Sequence, residues 1–271
     1  MKNLKADLTG QIAVLTGGAG VLGMAMAQAL SECGAKVALL SRTKSKLEAA
    51  CKELTAASGN ATLALAADAT SEESLRIALH ELTTTWGRPN ILVNAAGGNR
   101  RGATVMPDAD LFDTSAADWR SVIDLNLMGT VLPSIVFGKA MTDGGSIINI
   151  SSMAADRPLT RVGGYSASKA AIDNFTGWLG AELARRYAGR LRVNAIAPGF
   201  FIADQNRALL MNEDGTPTAR GKQVLDQTPM GRFGDPDELQ GALLFLASDD
   251  SSFVTGTVLR VDGGFSNFAG L

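Results

Sequence analysis

Short apolar runs alternate with helix-forming segments along almost the whole chain of 271 residues. Each run has the length of a strand and is nearly continuously apolar, which is the pattern of strands covered on both faces. The runs are Gln11–Thr16, Lys36–Ser41, Ala61–Asp68, Ile91–Asn94, Ser146–Ser151, Leu191–Ile196 and Val258–Val261. Strands that alternate with helices pair in parallel, because each connection crosses back over the sheet. The sequence therefore predicts an α/β fold with a parallel sheet of about seven strands.

The segments between the runs carry the signals of helices. Met24–Cys33 is followed by Gly34, a residue type that commonly ends helices, and Ser71–Trp86 begins with a serine suited to an N-cap. A charged helix is predicted to end near Ala57. No linker or repeat divides the chain, so we expect one domain over residues 1–271, with a loop insertion at about 200–234. The predicted domain is a Rossmann-like, doubly wound sheet flanked by helices.

Composition excludes several classes of partner. The net charge of −2 and the pI near 5.5 argue against a nucleic-acid interface or a polybasic membrane face. No uninterrupted apolar run reaches the roughly 18 residues that span a bilayer, so no membrane contact is expected. Cys33, Cys51 and His80 lack the spacing of metal ligands, so no metal is expected. With no apolar signal core in Met1–Asp7, we expect a cytoplasmic protein.

A glycine cluster follows the first run and opens the first helix. Gly18, Gly20 and Gly23 match the dinucleotide fingerprint, in which free backbone N–H groups at a helix N-terminus hold a pyrophosphate. The residues predicted to contact the phosphates are Gly17, Gly18, Gly20, Val21, Leu22 and Gly23. This placement after a strand favours a nucleotide site over an ordinary flexible turn.

The end of the second run bears on the choice of cofactor. Ser41 and Arg42 stand where the fingerprint has a carboxylate for the ribose 2′-hydroxyl. A guanidinium suits a 2′-phosphate, and the missing carboxylate removes repulsion. We therefore favour NADP(H), with NAD(H) possible. The alternative is that Arg42 is an ordinary solvated residue of the second helix.

Tyr165 and Lys169 stand four residues apart, so they share one face of a predicted helix. A positive charge close to a phenol favours the phenolate, which would lower the pKa of Tyr165 from about 10. Ser152 closes the fifth apolar run, so its hydroxyl is expected to meet Tyr165 across a loop. The alternative is an amphipathic helix with an exposed tyrosine and a solvated lysine, since this spacing is common by chance.

Taken together, these motifs resemble the classical short-chain dehydrogenase/reductase family, nearly from end to end. The matching residues are Thr16–Gly23, Asp68, Asn94–Gly97, Asn126, Ser152, Tyr165, Lys169, Pro198 and Gly199. The chain departs from the family pattern in two places. Val21 stands where the family usually has glycine, with Gly20 in place of a small polar residue, and Ala203 lies near the position of a frequent threonine.

The resemblance implies a hydride transfer between a nicotinamide cofactor and a carbonyl or alcohol. In that scheme Tyr165 is the general acid–base, Lys169 lowers its pKa and holds the nicotinamide ribose, and Ser152 bonds the substrate oxygen. Asn126 anchors a water of the proton relay, and a homotetramer is expected. The cofactor residues it implies, beyond those of the glycine cluster, are Ser41, Arg42, Asp68, Ala69, Asn94, Ala95, Ala96, Gly97, Tyr165, Lys169, Pro198, Gly199 and Phe201.

Three loops at the carboxyl ends of strands carry arginines and amides, which suit a polar, anionic small-molecule substrate. The arginines are Arg100, Arg101, Arg157, Arg161 and Arg207, and the proposed substrate contacts are Asn99, Arg100, Arg157, Gln205 and Arg207. Three other features resemble the D-mannonate oxidoreductase (fructuronate reductase) subgroup: the cluster Thr16–Gly23, the run Pro198–Phe201 followed by Gln205–Arg207, and the long segment Pro217–Gly234. This resemblance implies a keto-uronate or a related sugar acid. A 3-oxoacyl-carrier-protein or general ketoreductase is the alternative enzyme. A non-catalytic NADP-binding regulator is the alternative of another class.

Overall fold

The computed structural model of the chain describes residues 6–106 and 109–270, without the side chains of residues 204 and 205. Residues 1–5, on which the expectation of no signal core partly rests, lie outside this part. Seven parallel strands form one sheet. They are β1 (Ile12–Thr16), β2 (Lys36–Ser41), β3 (Thr62–Ala66), β4 (Ile91–Asn94), β5 (Gly145–Ile150), β6 (Leu191–Pro198) and β7 (Val258–Val261).

The strand order is β3-β2-β1-β4-β5-β6-β7, which confirms the doubly wound, Rossmann-like prediction. The order reverses between β1 and β4, whose registers pair Ala13 with Ile91 and Thr16 with Asn94. Connections from these two strands leave on opposite sides and open a crevice at their carboxyl ends, the usual ligand site of open α/β sheets. The motifs singled out from the sequence all lie at this edge.

Nine helices of seven residues or more occur in the described part of the chain. They are α1 (Val21–Glu32), α2 (Lys44–Ser58), α3 (Glu72–Thr85), α4 (Ala116–Ile123), α5 (Gly129–Gly138), α6 (Gly163–Arg186), α7 (Asp204–Leu210), α8 (Ala219–Asp226) and α9 (Gln240–Ala247). One face of the sheet is covered by α1, α2 and α9, through residues such as Met26 and Leu243. The opposite core holds Leu75 of α3 and Phe137 of α5, against which Leu179 of α6 packs. Burial on both faces explains why the strands read as continuous apolar runs.

The segment Ala116–Gly138 is long and apolar enough to cross a membrane by length and composition, with 23 residues and a mean hydropathy of 1.4. It contains α4, a π-helical turn (Asp124–Met128) and α5. Its side chains Val122 and Phe137 are fully buried inside the domain. A core helix of a globular fold passes the same test, and this packing accounts for the apolar character of the segment.

The predicted elements differ from the observed ones mainly at their ends. The first helix begins at Val21 rather than Met24, because the glycine turn leads into it directly. β3 is shorter than predicted: Ala67 makes the last pairing hydrogen bond, to Ser41 at the end of β2. β6 is longer and runs to Pro198, because β7 pairs alongside it up to Val261. Ser71 caps α3, as predicted, by accepting from the backbone N–H of Ser74.

The C-terminal segment carries two phenylalanines, Phe265 and Phe268. Both are half-buried within the chain, and the ring of Phe265 meets that of Phe200 edge-on at 5.4 Å between centroids. The segment therefore packs on the loop that follows β6.

Candidate active site

The turn between β1 and α1 approaches the neighbouring backbone closely. Gly17 has φ +68°, and a Cβ there would lie 2.7 Å from the carbonyl oxygen of Ala95. A Cβ on Gly23 would collide with the carbonyl oxygen of Gly17. The bare turn at the N-terminus of α1 is the cradle that a cofactor pyrophosphate requires, because backbone N–H groups and the positive helix end face the crevice.

Gly17 and Gly23 leave no room for a Cβ, whereas Gly20, which the fingerprint also requires, does. Gly20 has an ordinary negative φ of −88°, and a Cβ there would come no closer than 3.4 Å, to the oxygen of Gly17. Val21 begins the helix, is partly exposed and lines the crevice. The departure of this chain from the family pattern at positions 20 and 21 is thus compatible with the turn.

Asp68, which follows β3, and Arg42, which follows β2, interact electrostatically. Burial acts to raise the pKa of the Asp68 carboxyl, but hydrogen bonds from Thr70 and the charge of Arg42 hold it below its ordinary value. Thr70 donates to Asp68 from both its backbone N–H (2.9 Å) and its hydroxyl (2.8 Å). Asp68 therefore stays ionised at neutral pH, and Arg42 is exposed within electrostatic reach of it.

The loop after β4 is fixed by side chains from three strands. Thr16 Oγ1 accepts from the backbone N–H groups of Ala95 and Ala96, at 3.1 Å each. The Asn94 amide donates to Ser134 Oγ and Asn149 Oδ1 at 2.8 and 2.9 Å. This buried network holds the loop residues that line the cofactor channel in place.

A continuous channel joins the glycine turn to the residues around Tyr165. A cavity of about 280 Å³ along the turn and a second of about 140 Å³ share several lining residues. The shared residues are Leu22, Ala95, Gly97, Ile150 and Ala203. Ser152, Tyr165 and Lys169 line the inner cavity. The residues present therefore fit a dinucleotide with its phosphates on the turn and its reactive end beside Tyr165.

Ser152, Tyr165 and Lys169 come together as the sequence predicted. The hydroxyls of Ser152 and Tyr165 interact across the loop between β5 and α6. The Lys169 ammonium lies over the Tyr165 ring, 5.5 Å from its centroid, and donates to the carbonyl oxygen of Ile150 at 2.7 Å. Gly163 and Gly164 are the first residues of α6. Trp119 packs directly against them and so positions the first turn of the helix.

The pKa of Tyr165 differs from the sequence-based expectation. Burial raises it above the ordinary value of 10, and the hydrogen bond with Ser152 opposes this only in part. The expected lowering by Lys169 is wrong for the chain by itself, because the ammonium sits over the ring face and is itself buried. Burial lowers the pKa of Lys169 to about 8, against the opposing charge of Asp173.

Asn126 lies fully buried in the π-helical turn between α4 and α5. Its amide donates to the carbonyls of Gly98 (2.7 Å) and Val122 (2.8 Å), and its Oδ1 accepts from the Gly98 N–H at 3.0 Å. The extra residue of the π turn aims this side chain at the loop after β4. Asn126 thus fastens that loop next to Lys169, whose Nζ lies 3.4 Å from the position of a Cβ on Gly97.

The residues after β6 form the other wall of the inner cavity. Gly199 approaches Asp262 so closely that a Cβ would lie 2.6 Å from its Cα. Phe201 is buried and, with Pro198 and Gly199, lines the cavity, as the cofactor prediction required. Asn206 also lines it, and its side chain bonds the backbone of Phe201 and Ala203. Asn206 was not among the residues picked out from the sequence, although it lies in the noted loop.

The predicted arginine cluster does not converge on Tyr165. Arg100, Arg101, Arg157 and Arg207 are exposed, and Arg161 is half-buried with φ +76°. Within the described part of the chain, none of them lines the inner cavity. The Nε of Arg157 donates to the carbonyl oxygen of Ser266 at 2.8 Å. Asn99 donates to Thr104, with its Oδ1 buried and unpartnered, whereas the side chain of Gln205 lies outside the described residues.

Among the side chains that the structure describes, no group of three or more His, Cys, Asp or Glu could hold a metal ion. His80 is exposed on α3.

Comparison with known proteins gives consistent matches over the full length. A family model described as enoyl-(acyl carrier protein) reductase matches residues 17–266. An uncharacterised oxidoreductase of Bacillus subtilis named UxuB is 44% identical over 279 residues, covering 99% of each chain.

Two solved structures match the fold closely. One, from Haemophilus influenzae, is provisionally described as a D-mannonate oxidoreductase with bound NAD. It has a TM-score of 0.91 and 40% identity, covering 99% of this chain and 100% of the other. The second is a gluconate 5-dehydrogenase of Burkholderia cenocepacia in complex with NADP and tartrate, with a TM-score of 0.88 and 31% identity over 98% of each chain.

Proposed function

Because this chain belongs to the short-chain dehydrogenase/reductase family, we propose that it interconverts a carbonyl and a secondary alcohol on a sugar acid such as a keto-uronate of the fructuronate–mannonate type. The family membership makes the chain an NAD(P)-dependent oxidoreductase acting on CH–OH groups. The observation that carries the proposal is the position of Ser152, Tyr165 and Lys169 at the inner end of the channel that begins at the glycine turn.

When bound, the nicotinamide cofactor supplies or accepts the hydride. The protein supplies the proton. Because burial raises the pKa of Tyr165, its phenol is protonated at neutral pH and is able to donate to a substrate oxygen that gains negative charge during reduction. The Ser152 hydroxyl, which already interacts with that of Tyr165, orients the same oxygen. Oxidation of an alcohol uses the same groups in reverse.

Lys169 and Asn126 support the two proton donors, Ser152 and Tyr165, without touching the substrate oxygen. The buried ammonium of Lys169, which lies over the Tyr165 ring, would hold the ribose of the bound cofactor by hydrogen bonds. Asn126 holds the Gly97–Gly98 loop against this group through two hydrogen bonds with the Gly98 backbone, and we propose that it anchors the water of the proton relay. We assign these roles by the match of this chain to the family pattern.

A sugar acid is supported by the polar loops that surround the carboxyl edge and by the named activities of similar proteins. The provisional mannonate oxidoreductase and the gluconate 5-dehydrogenase both bear sugar-acid names. We propose Asn99, Arg100, Arg157, Gln205 and Arg207 as the substrate contacts. Since the exposed arginines stand away from Tyr165, this assignment needs their loops to close over the substrate.

NADP(H) is the favoured cofactor of the proposal, and NAD(H) is the alternative. Ser41 ends β2 and Arg42 follows it, so a guanidinium and no carboxylate stands where a 2′-phosphate would lie. The matched structures contain one cofactor each, NAD in the mannonate oxidoreductase and NADP in the gluconate dehydrogenase. The affinity of this chain for NADPH relative to NADH therefore tests whether Arg42 binds a 2′-phosphate.

The proposed assembly is a homotetramer in the cytoplasm. Trp178 on α6 and Ile135 on α5 are exposed by 58% and 57%, and large apolar side chains of this exposure are suited to burial between subunits. Light scattering coupled to size-exclusion chromatography should give about four times the chain mass of 28.2 kDa. A monomer at micromolar concentration would contradict this part of the proposal.

A ketoreductase acting on an acyl carrier protein substrate is the second candidate, because the description of the matching family model names an acyl carrier protein, although for an enoyl rather than a keto group. It shares the catalytic residues but needs a groove for a thioester-linked acyl chain. A non-catalytic NADP-binding regulator remains the alternative of another class, which any measurable turnover would rule out.

The test is a substrate panel with purified protein. We expect reduction of keto-uronates by NADPH or NADH, followed as loss of cofactor absorbance, and little reduction of acetoacetyl thioesters. A neutral ketose of similar size serves as the control for charge. Preference for the thioesters would replace the sugar-acid assignment with the ketoreductase, and no turnover with any carbonyl compound would contradict both.

A further inference from the structure

Asp173 continues the catalytic face of α6 away from the substrate. It follows Lys169 by one helical turn and Tyr165 by two, so the three side chains lie on neighbouring parts of one face. Asp173 is half-buried, and its Oδ1 is enclosed without a hydrogen-bond partner in the described part of the chain. The hydroxyl of Ser151, at the end of β5, reaches the same carboxyl.

The charged groups around Asp173 come from three elements. Asp156 lies in the loop before α6, Arg260 on β7 and Lys169 on α6 itself. Asp156 and Arg260 already form an ion pair, with Arg260 Nε donating to Asp156 at 2.8 Å. Their opposite charges largely offset each other at Asp173. Lys169, by contrast, bonds only the neutral carbonyl of Ile150 in the described structure, and Asp173 is the group whose charge acts on it.

We propose that Asp173 is a positioning residue that keeps the buried Lys169 ammonium charged during the reaction. The inference rests on the role of Lys169 in the proposed function, and it concerns a residue outside the Asn126–Ser152–Tyr165–Lys169 set. Asp173 touches neither substrate nor cofactor in this scheme; it acts through Lys169.

The sign of the effect follows from the two groups. Burial lowers the pKa of Lys169 to about 8, and the negative charge of Asp173 opposes that change. Burial raises the pKa of the Asp173 carboxyl to about 6, so it is ionised at neutral pH, where Lys169 needs it. Replacing the carboxylate by an amide removes the opposing charge. The ammonium then loses its proton at a lower pH than in the wild type.

The test compares Asp173→Asn with the wild type in two measurements. The first is the pH profile of kcat/KM, and the second is the dissociation constant of reduced cofactor against pH, read from cofactor fluorescence without substrate. In Asp173→Asn we expect the alkaline limb of both profiles to move down by about one pH unit, the low end for the loss of a nearby opposite charge. Turnover at acidic pH should stay close to that of the wild type.

Two further variants separate this role from a structural one. Asp173→Glu keeps the charge and should restore the wild-type alkaline limb at least in part. Asp156→Asn removes a carboxylate of the same cluster that does not act on Lys169, and it should leave both profiles in place. Unshifted profiles in Asp173→Asn, or an equal shift in Asp156→Asn, would overturn the proposal. If the wild type reduced no substrate, the proposed function would fail, while the cofactor-binding profile would still test Asp173.

Discussion

The side-chain ammonium of Lys169 donates a hydrogen bond to the backbone carbonyl oxygen of Ile150 at 2.7 Å. This contact joins the catalytic face of α6 to the last residue of β5, two residues before Ser152. The strand end and the helix are therefore fixed to each other at the point where their polar side chains meet. Because Lys169 is only 4% exposed, its position and charge are set by the protein rather than by solvent.

Arg42 tests the choice of cofactor. If its guanidinium holds a 2′-phosphate, Arg42→Ala should weaken NADPH binding by about 1.5–3 kcal/mol, the scale of hydrogen bonds to charged groups, and leave NADH nearly unchanged. Lys44→Ala is the matched control, because it removes an exposed positive charge two residues away. Fluorescence titration with both cofactors gives the values. Equal losses for NADPH and NADH, or a wild-type preference for NADH, would contradict the assignment.

Gly97 tests the close approach of the loop after β4. A Cβ there would lie 2.7 Å from Asn126 Oδ1 and 3.4 Å from Lys169 Nζ. Overpacking of this kind costs about 1–3 kcal/mol, so Gly97→Ala should weaken cofactor binding by roughly 5- to 150-fold. Gly241→Ala is the control, since a Cβ at position 241 meets nothing within 4 Å. Cofactor affinity within twofold of wild type in Gly97→Ala would show that the loop yields easily.

Arg157 tests the substrate assignment. A buried carboxylate needs a charged or hydrogen-bonding partner, so Arg157→Leu should raise the KM for an anionic keto-uronate far more than that for a neutral ketone. Added salt should weaken the difference if the contact is exposed. Arg186→Leu, at the far end of α6, is the control. Equal effects on both substrates would instead reflect loss of the Arg157–Ser266 hydrogen bond that holds the C-terminal segment.

The raised pKa of Asp173 predicts how its replacement changes the free energy of unfolding. Its pKa is raised from 3.8 to about 6, so the folded protein binds more protons than the unfolded chain between these values, and stability falls as the pH rises through them. Asp173→Asn should therefore unfold with a free energy about 1–3 kcal/mol higher than wild type at pH 7. The difference should vanish below about pH 4. Urea unfolding at both pH values measures it, and a variant less stable at pH 7 would contradict the sign.

The alternation of strands with helices and the grouping of Ser152, Tyr165 and Lys169 were predictable because their signals are local. Continuous apolar runs report burial on both faces, and the four-residue spacing of Tyr165 and Lys169 reports a shared helical face. Ser152 follows from its place at a strand end. These features need no knowledge of which distant residues meet.

The parts that escaped prediction depend on long-range contacts. The raised pKa of Tyr165 comes from burial by several elements, and sequence spacing alone suggested the opposite direction. Thr16 and Asn149 hold the loop after β4 through bonds that span 55 or more residues. The arginines were grouped because their loops follow the carboxyl ends of strands, but in the described part of the chain none of them lines the inner cavity. The surroundings of Asp173 also carry no local signal, because Ser151, next to β5, and Arg260, on β7, reach it from distant parts of the sequence.

We propose that Tyr165 supplies the proton in carbonyl reduction. The turnover of Tyr165→Phe tests this role directly. The variant keeps the ring that lies under Lys169 and removes only the hydroxyl. We expect kcat for the best carbonyl substrate to fall by at least ~100-fold, the low end for general acid catalysis, with the cofactor dissociation constant nearly unchanged. Near-wild-type turnover in Tyr165→Phe would contradict the account.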